Sequence, residues 1–384
     1  MRDTFLVFAQ PLIEQPEMDE VLASMRSSWL GTGPKTHQFE HDFATYKGVG
    51  GAVALNSCTA ALHLACLALN LSKGDEIIST AMTFCSSINA IIHAGATPVI
   101  ADIDPKTALI DPASIESRIT PRTKALLVVH FAGRPCNMDA IMDIARRHNL
   151  RVIEDCAHAI ETEYRGKKAG TIGDFGCFSF YSTKNVVTGE GGMIIARNQE
   201  HLDRIRIMAL HGMSADAWAR FSDAGYKHYQ VVDLGFKYNM MDLQAAIGIH
   251  QLPRVDKYWK RRQLIWNQYM EAFASLPIAL PAPLEPDTRH AFHLFTIGVD
   301  KARCGLSRDE MLTALHKHNI GAGVHYLAIP EHPFYQKTFG WKPEDTPHAT
   351  AYGRETLSLP LSPKLNAQDV NDVIKAVTDI LAKA

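Results

Sequence analysis

The chain has 384 residues, 46% of them hydrophobic and 21% charged, with a formal net charge of −2. That length supplies the cores of one large and one small domain, and the composition is that of an ordinary soluble protein. So little net charge gives no electrostatic reason to expect nucleic acid or an anionic membrane as partner, and an anionic ligand would need a local site.

The opening residues, Met1 to Gln10, carry one apolar cluster, Phe5 to Ala9, and lack the basic start and long apolar stretch of a signal peptide. No apolar run approaches the roughly 20 residues of a membrane span. The seven cysteines are scattered, with no Cys-x-x-Cys pair. They are expected to be small core residues in a reducing, cytoplasmic setting, with neither a disulfide frame nor a metal site.

Two helices are expected first, at about 17–29 and 37–47, with boundaries good to a few residues. Strands then follow at Ala52–Leu55, Glu76–Ser79, Thr97–Asp102, Ala125–His130, Arg151–Glu154, Gly176–Phe180 and Gly192–Ala196. Helical patterns near 59–70, 85–94, 137–148 and 199–210 lie between or after them. Short apolar strands alternating with helices predict an α/β fold with an open, mostly parallel sheet, whose ligands gather at the carboxyl ends of the strands. The character changes after Asp242. A helix over about 254–275 leads into a connector marked by Pro277, Pro281, Pro283 and Pro286. Beyond it come a strand at His293–Val299, a helix opened by Ser307 with Glu310 completing a capping box, a strand at Gly321–Tyr326 and a final helix near 367–382. Residues 1–250 thus form the N-terminal segment and a large α/β domain, and 251–384 a small α+β domain. No internal repeat or low-complexity stretch interrupts the pattern.

The segment Val152-Ile-Glu-Asp-Cys-Ala-His-Ala159 places Asp155 just after an apolar strand. A carboxylate buried at that edge needs a cation to offset its lost hydration, and the pyridine nitrogen of pyridoxal phosphate supplies one. Lys184 follows 29 residues later, in Phe178-Ser-Phe-Tyr-Ser-Thr-Lys-Asn185. A partly desolvated lysine has a lowered pKa and is competent to form a Schiff base and then to shuttle protons. Either residue alone would be an ordinary cap or a solvated side chain. The ordered set of strand–Asp, strand–Ser, loop–Lys and Gly189-Glu-Gly-Gly192 is far more restrictive.

Upstream, Asn56-Ser-Cys-Thr-Ala-Ala61 joins a strand to a helix, and a helix start of this kind binds anions. Thr59 and the Ala60 amide are expected to hold the cofactor phosphate, with Ser179 a further donor. A plain helix cap by Ser57 or Thr59 is the structural alternative. Phe84 follows the next strand and either stacks on the pyridine ring or packs in the core. His158, three residues after Asp155, contacts the ring or serves a structural hydrogen bond.

With those residues in place the chain resembles the DegT/DnrJ/EryC1/StrS family of nucleotide-sugar aminotransferases over nearly its whole length. The likeness also rests on Trp29-Leu-Gly-Thr-Gly-Pro-Lys35, Gly74-Asp-Glu-Ile77, Gly95-Ala-Thr-Pro98, Gly235-Phe-Lys-Tyr-Asn-Met240 and Ser358-Leu-Pro-Leu361. The resemblance implies the type I, aspartate-aminotransferase fold, pyridoxal 5′-phosphate as cofactor, and a homodimer with active sites at the interface. On that analogy Asn239, and less directly Lys237 where many relatives carry Asn, reach the neighbour's phosphate pocket. One branch of the family replaces the Schiff-base lysine with His and removes a hydroxyl; Lys184 argues against that branch here.

Arg303-Cys-Gly-Leu-Ser-Arg308 and Gly321-Ala-Gly-Val-His-Tyr326 resemble the branch making UDP-4-amino-4-deoxy-L-arabinose, although Phe84 stands where that branch has Trp. The matching residues, His325 and Tyr326, are therefore substrate-binding candidates. Lys35, Arg220 and Lys227 are candidate cations for a nucleotide diphosphate, and His211–Tyr229 is a candidate closing loop. The implied reaction is a ping-pong transfer from L-glutamate, which leaves as 2-oxoglutarate, to a UDP-linked 4-keto sugar. A 3-keto sugar acceptor and a cofactor-binding regulator without turnover are the alternatives; a pyridine-nucleotide enzyme is disfavoured because no G-x-G-x-x-G follows the first strand.

Overall fold

The computed structural model describes residues 2–214 and 229–383. Helices α1 (Gln15–Ser27) and α2 (Pro34–Lys47) precede β1 (Val53–Leu55). Next come α3 (Cys58–Ala68), β2 (Glu76–Thr80), α4 (Cys85–His93), β3 (Thr97–Ala101), α5 (Pro112–Arg118), β4 (Thr123–Val129), α6 (Met138–Arg147) and β5 (Arg151–Asp155). A short hairpin, β6 (Glu163–Tyr164) and β7 (Lys167–Lys168), leads to β8 (Phe175–Ser179), β9 (Gly192–Ala196) and α7 (Gln199–Met208). The chain continues through α8 (Asp242–Gln251), α9 (Val255–Ala272), β10 (Thr288–Arg289), β11 (Phe295–Gly298), α10 (Lys301–Cys304) and α11 (Arg308–Lys317). It ends with α12 (Pro333–Phe339), α13 (Pro347–Glu355), β12 (Thr356–Leu359) and α14 (Ala367–Leu381).

Seven strands form the central sheet in the order β1-β9-β8-β5-β4-β2-β3. Only β9 runs against its neighbours; the pairs from β8 through β5, β4 and β2 to β3 are parallel. Successive residues of one strand feed opposite cores, as the period of two demands. Ile78, Leu126 and Val152 pack with Ile88, Ile115 and Ile141 on one face, while Ile77, Leu127 and Ile153 pack with Leu64, Leu202 and Ile205 on the other. That double burial is why these strands read as unbroken apolar runs. A separate cluster joins α9, β11, β12 and α14 through Tyr269, Phe295, Leu357 and Val373. Ala328, Ile329, Tyr335 and Ala349 belong instead to the first core, so part of the C-terminal third packs directly on the large sheet.

The expected segment Gly321–Tyr326 is not a strand. Its pairing is confined to isolated contacts, the antiparallel bridge of Gly323 with Ser358 and the Gly321 amide donating to Leu6 O at 2.8 Å, and the strand beside β11 is β12, with which it pairs along its full length. His325 and Tyr326 turn their side chains toward the sheet edge instead of alternating across a pleat. The hairpin β6–β7 and helices α5, α12 and α13 carried no sequence expectation.

The Trp29–Lys35 motif has a structural explanation. Asp242, 1% exposed, accepts hydrogen bonds from the amides of Gly33 (2.8 Å), Lys35 (3.1 Å) and Thr36 (2.9 Å) and from Thr36 Oγ1 (2.7 Å). A carboxylate thus caps the positive end of α2 from 200 positions away. A Cβ at Gly33 would lie within 2.5 Å of three atoms of the Trp29 indole, so a side chain there would require the half-exposed indole to shift. Replacing Asp242 by Ala leaves those donors unmet, and a loss of about 3 kcal/mol in unfolding free energy is expected by urea denaturation.

Candidate active site

A cavity of about 450 Å³ opens at the carboxyl edge of the sheet. Its walls come from the segments after β1 (Ser57, Thr59), β2 (Thr83, Phe84), β5 (Asp155, His158) and β8 (Ser179, Lys184), from Glu190 and Gly191 before β9, and from His325 and Tyr326. A second cavity of about 480 Å³ lies between Phe131, Trp266 and Tyr352, and none of the candidate site residues lines it.

Asp155 ends β5 and is 4% exposed. Its Oδ2 accepts from Ser87 Oγ (2.8 Å) and its Oδ1 from the Ala157 amide (3.1 Å), with Cys58 Sγ 4.0 Å away. Burial pushes the carboxyl above its ordinary value, against the pull of Ser87, the Ala157 amide and Lys184. No ion pair closes on it among the described residues. Lys184 sits in a turn after β8, its amide donating to Tyr181 O at 2.8 Å. Burial draws its ammonium down to about 8, with Cys58 and Asp155 opposing. Among the described residues no hydrogen bond or ion pair holds Nζ. One cavity therefore holds a carboxylate short of a cation and an amine that loses its proton near neutral pH.

Behind Asp155 the buried trio His130, Glu154 and Cys156 brings potential metal-ligating atoms close together. Hydrogen bonding accounts for it. Glu154 accepts from the amides of Gly170, Ile172 and Gly173 and meets His130 Nε2 at 3.0 Å, while His130 Nδ1 accepts from the Cys136 amide. The trio braces β5 one residue before its functional end.

At the start of α3 the structure chooses between the two hydroxyls. Ser57 is the cap, accepting from the Ala60 amide at 3.1 Å, so the expected Ala60 donor is already spent and does not line the cavity. The earlier amides, of Cys58 and Thr59, are the ones left over, beside the Thr59 hydroxyl. Gly192 lets this helix start approach: a Cβ there would come within 2.6 Å of Ser57 C, Ser57 O and Cys58 N. Ser179 Oγ accepts from the Tyr181 amide at 3.3 Å, which leaves its hydrogen free to donate.

Phe84 is 56% exposed and tilts against Tyr326 with ring centroids 5.8 Å apart, so it lines the cavity rather than the core. His158 Nδ1 accepts from the Ala132 amide at 3.2 Å. Its proton is thereby assigned to Nε2, which donates to Tyr326 Oη at 3.0 Å. Burial, with Lys184, His293 and His325 adding to it, keeps His158 neutral. His325 Nδ1 lies 2.9 Å from Ser358 Oγ, and burial draws this ring down to about 4.

Lys35 joins Ala60 outside the cavity, and Asn239 and Lys237, expected at a neighbouring subunit's pocket, do not line this one. Lys35 Nζ is ion-paired with Glu20. Asn239 Nδ2 donates to Thr32 Oγ1 at 2.6 Å, and Lys237 is exposed at the loop edge. Arg220, Lys227 and most of the proposed closing loop lie outside the described residues. Sequence reasoning named Ser57 as a possible cap but missed Ser87 and Cys58, whose roles depend on which strand ends meet.

The model of the DegT/DnrJ/EryC1/StrS aminotransferase family matches residues 11–378. The chain belongs to that family. It is 50% identical over 384 residues to the spore coat polysaccharide biosynthesis protein SpsC of Bacillus subtilis (strain 168), covering 100% of this chain and 99% of that protein. Among solved structures it is similar to the putative sugar aminotransferase Spr1654 from Streptococcus pneumoniae in its PMP form (TM-score 0.92, 32% identity, 98% of this chain and 99% of that one). It is also similar to the Helicobacter pylori aminotransferase PseC, involved in the biosynthesis of pseudoaminic acid (TM-score 0.92, 26% identity, 99% and 100%). The protein is a pyridoxal-phosphate-dependent sugar aminotransferase with the type I fold. The donor set fits that cofactor: an unpaired buried carboxylate for a ring cation, an amine for a carbonyl carbon, and uncommitted amides and hydroxyls for a phosphate.

In the cofactor-free protein, the rate at which Lys184 condenses with pyridoxal phosphate should rise with pH through about 8 and then level, rather than near 10.5. Stopped-flow absorbance checks this; an inflection near the ordinary lysine value would contradict it.

Proposed function

We propose that the chain transfers the amino group of L-glutamate to the keto carbon of a nucleotide-linked sugar, with a UDP-4-keto sugar as the acceptor. The observation that carries the transfer chemistry is the placement of Lys184 and Asp155, both desolvated, in one cavity. Pyridoxal phosphate bound there supplies the electron sink and carries the amino group between donor and acceptor. Asp155 holds the ring nitrogen protonated. Thr59, Ser179 and the amides of Cys58 and Thr59 would hold the phosphate, with Phe84 and His158 as the candidates to contact the ring. Lys184 would anchor the cofactor and, as a free amine, would be the group available to move a proton.

The sugar side rests on His325 and Tyr326. Both face the cavity, His325 as a neutral ring and Tyr326 as a phenol that burial keeps protonated. Because His158 already donates to Tyr326 Oη, the phenolic hydrogen is the one left to point at substrate oxygen. In this reading a small domain of residues 251–384 supplies the sugar-facing groups and a large domain of 1–250 the cofactor-facing ones.

The reading includes a homodimer. Met18, Leu22 and Met25 expose an apolar stripe along α1, continued by Trp29 and Leu30, and Val231, Val232 and Leu234 are exposed in the loop before Asn239. Exposed apolar side chains in such number call for a partner surface, and a second copy would bring Asn239 and Lys237 to the phosphate end. Seven free cysteines and the lack, among the described residues, of a helix long and apolar enough to cross a membrane agree with a cytoplasmic enzyme.

The visible spectrum of the holoenzyme tests the transfer. Glutamate should abolish the cofactor band and a UDP-4-keto sugar should restore it; Lys184→Ala should complete no second turnover. A band untouched by glutamate would reject the donor, and restoration only by a 3-keto sugar would reject the acceptor.

A further inference from the structure

The residue after the reactive lysine is bound on every side. Asn185 Nδ2 donates to Glu161 Oε2 (2.8 Å) and to Ala291 O (3.0 Å), which uses both amide hydrogens. Its Oδ1 therefore accepts, and the partner is His293 Nδ1 at 3.0 Å, so that ring carries its proton on Nδ1. The other oxygen of Glu161 is ion-paired with Arg262 of α9, and the two side chains are 0% and 1% exposed. On the cavity side, the His293 ring lies against His158 with centroids 4.4 Å apart, and His158 holds Tyr326.

We propose that Asn185 is a positioning residue for the transfer. It fixes the Lys184 backbone to the buried Glu161–Arg262 pair, and through His293 it sets the ring against which His158 rests. One side chain thus orients two groups of the site: the amine from behind, and the His158–Tyr326 pair from the side. Asn185 does not line the cavity and touches no reacting atom. An aspartate would be a poor substitute, because it would set a second carboxylate against buried Glu161 and lose both donated hydrogen bonds. The inference rests on the proposed role of Lys184.

The test uses the holoenzyme and three variants. Asn185→Ala should lower kcat for the glutamate half-reaction at least tenfold with KM changed less than threefold. It should also weaken the visible circular dichroism of the bound cofactor, which reports its fixed orientation. His293→Asn keeps a donor for Asn185 and should retain both properties within about threefold, since the Asn amide replaces the imidazole N–H. His293→Phe keeps a ring but no donor, and should behave like Asn185→Ala. Near-normal kcat and dichroism in Asn185→Ala would overturn the proposal. So would a healthy His293→Phe beside an impaired His293→Asn, since packing alone would then be at work. If Asn185→Ala fails to fold, the two His293 variants still decide. The dichroism needs only bound cofactor: a wild type that is dichroic yet ignores glutamate would sink the donor assignment and leave this comparison readable.

Discussion

Two groups that water would keep charged, the Asp155 carboxylate and the Lys184 amine, share a cavity in which burial works against both. Each is brought there by the end of a parallel strand, and each is left short of the partner that would satisfy it. The surroundings maintain that tension. Ser87 and one amide hold Asp155 in place without supplying a cation, and the hydrogen-bonded trio at Glu154 makes the preceding residue rigid. The two histidines that line the cavity, His158 and His325, stay neutral, so neither sets a cation against the carboxylate from the open side, while His130, raised above its ordinary value, faces Glu154 behind it. A cofactor that carries a cationic ring nitrogen at one end and a phosphate at the other relieves both the carboxylate and the idle amides at the start of α3.

The strand ends were legible in the sequence because double burial writes itself as short apolar runs, and because Asp155 and Ser179 break those runs at the point where the sheet stops, with Lys184 in the turn that follows. The choice of phosphate donor was not. Ser57 and Thr59 are both competent caps, and only the fold decides that Ser57 takes the Ala60 amide and leaves the two before it. Lys35 shows the same limit. Nothing local says that Glu20, half the length of a helix pair away, takes its charge. The segment Gly321–Tyr326 was expected as a strand, yet it makes only isolated pairings with Leu6 and Ser358, and its last two side chains line the cavity instead. Asp242 is the extreme case: a carboxylate that looks like an ordinary helix starter is the cap of a helix near the other end of the sequence.

The groups facing the cavity fall into two sources. Those suited to a phosphate, a ring nitrogen and a carbonyl come from the strand ends of the central sheet, locked by backbone hydrogen bonds. The other two lining groups, His325 and Tyr326, come from an irregular stretch tied down by isolated backbone contacts with Leu6 and Ser358 and by hydrogen bonds to Ser358 Oγ and His158. A fold built this way keeps the strand-end groups constant while the irregular stretch is free to vary, which suits a family in which two similar structures, at 32% and 26% identity, both reach a TM-score of 0.92.

Gly192 carries a consequence for anyone reshaping this protein. Because the backbone of Ser57 and Cys58 occupies the space where its side chain would be, the first residue of β9 and the first turn of α3 behave as one solid part. Libraries that reshape the cavity should therefore leave Gly192 untouched and spend their diversity on 84, 325 and 326, whose side chains border its open volume.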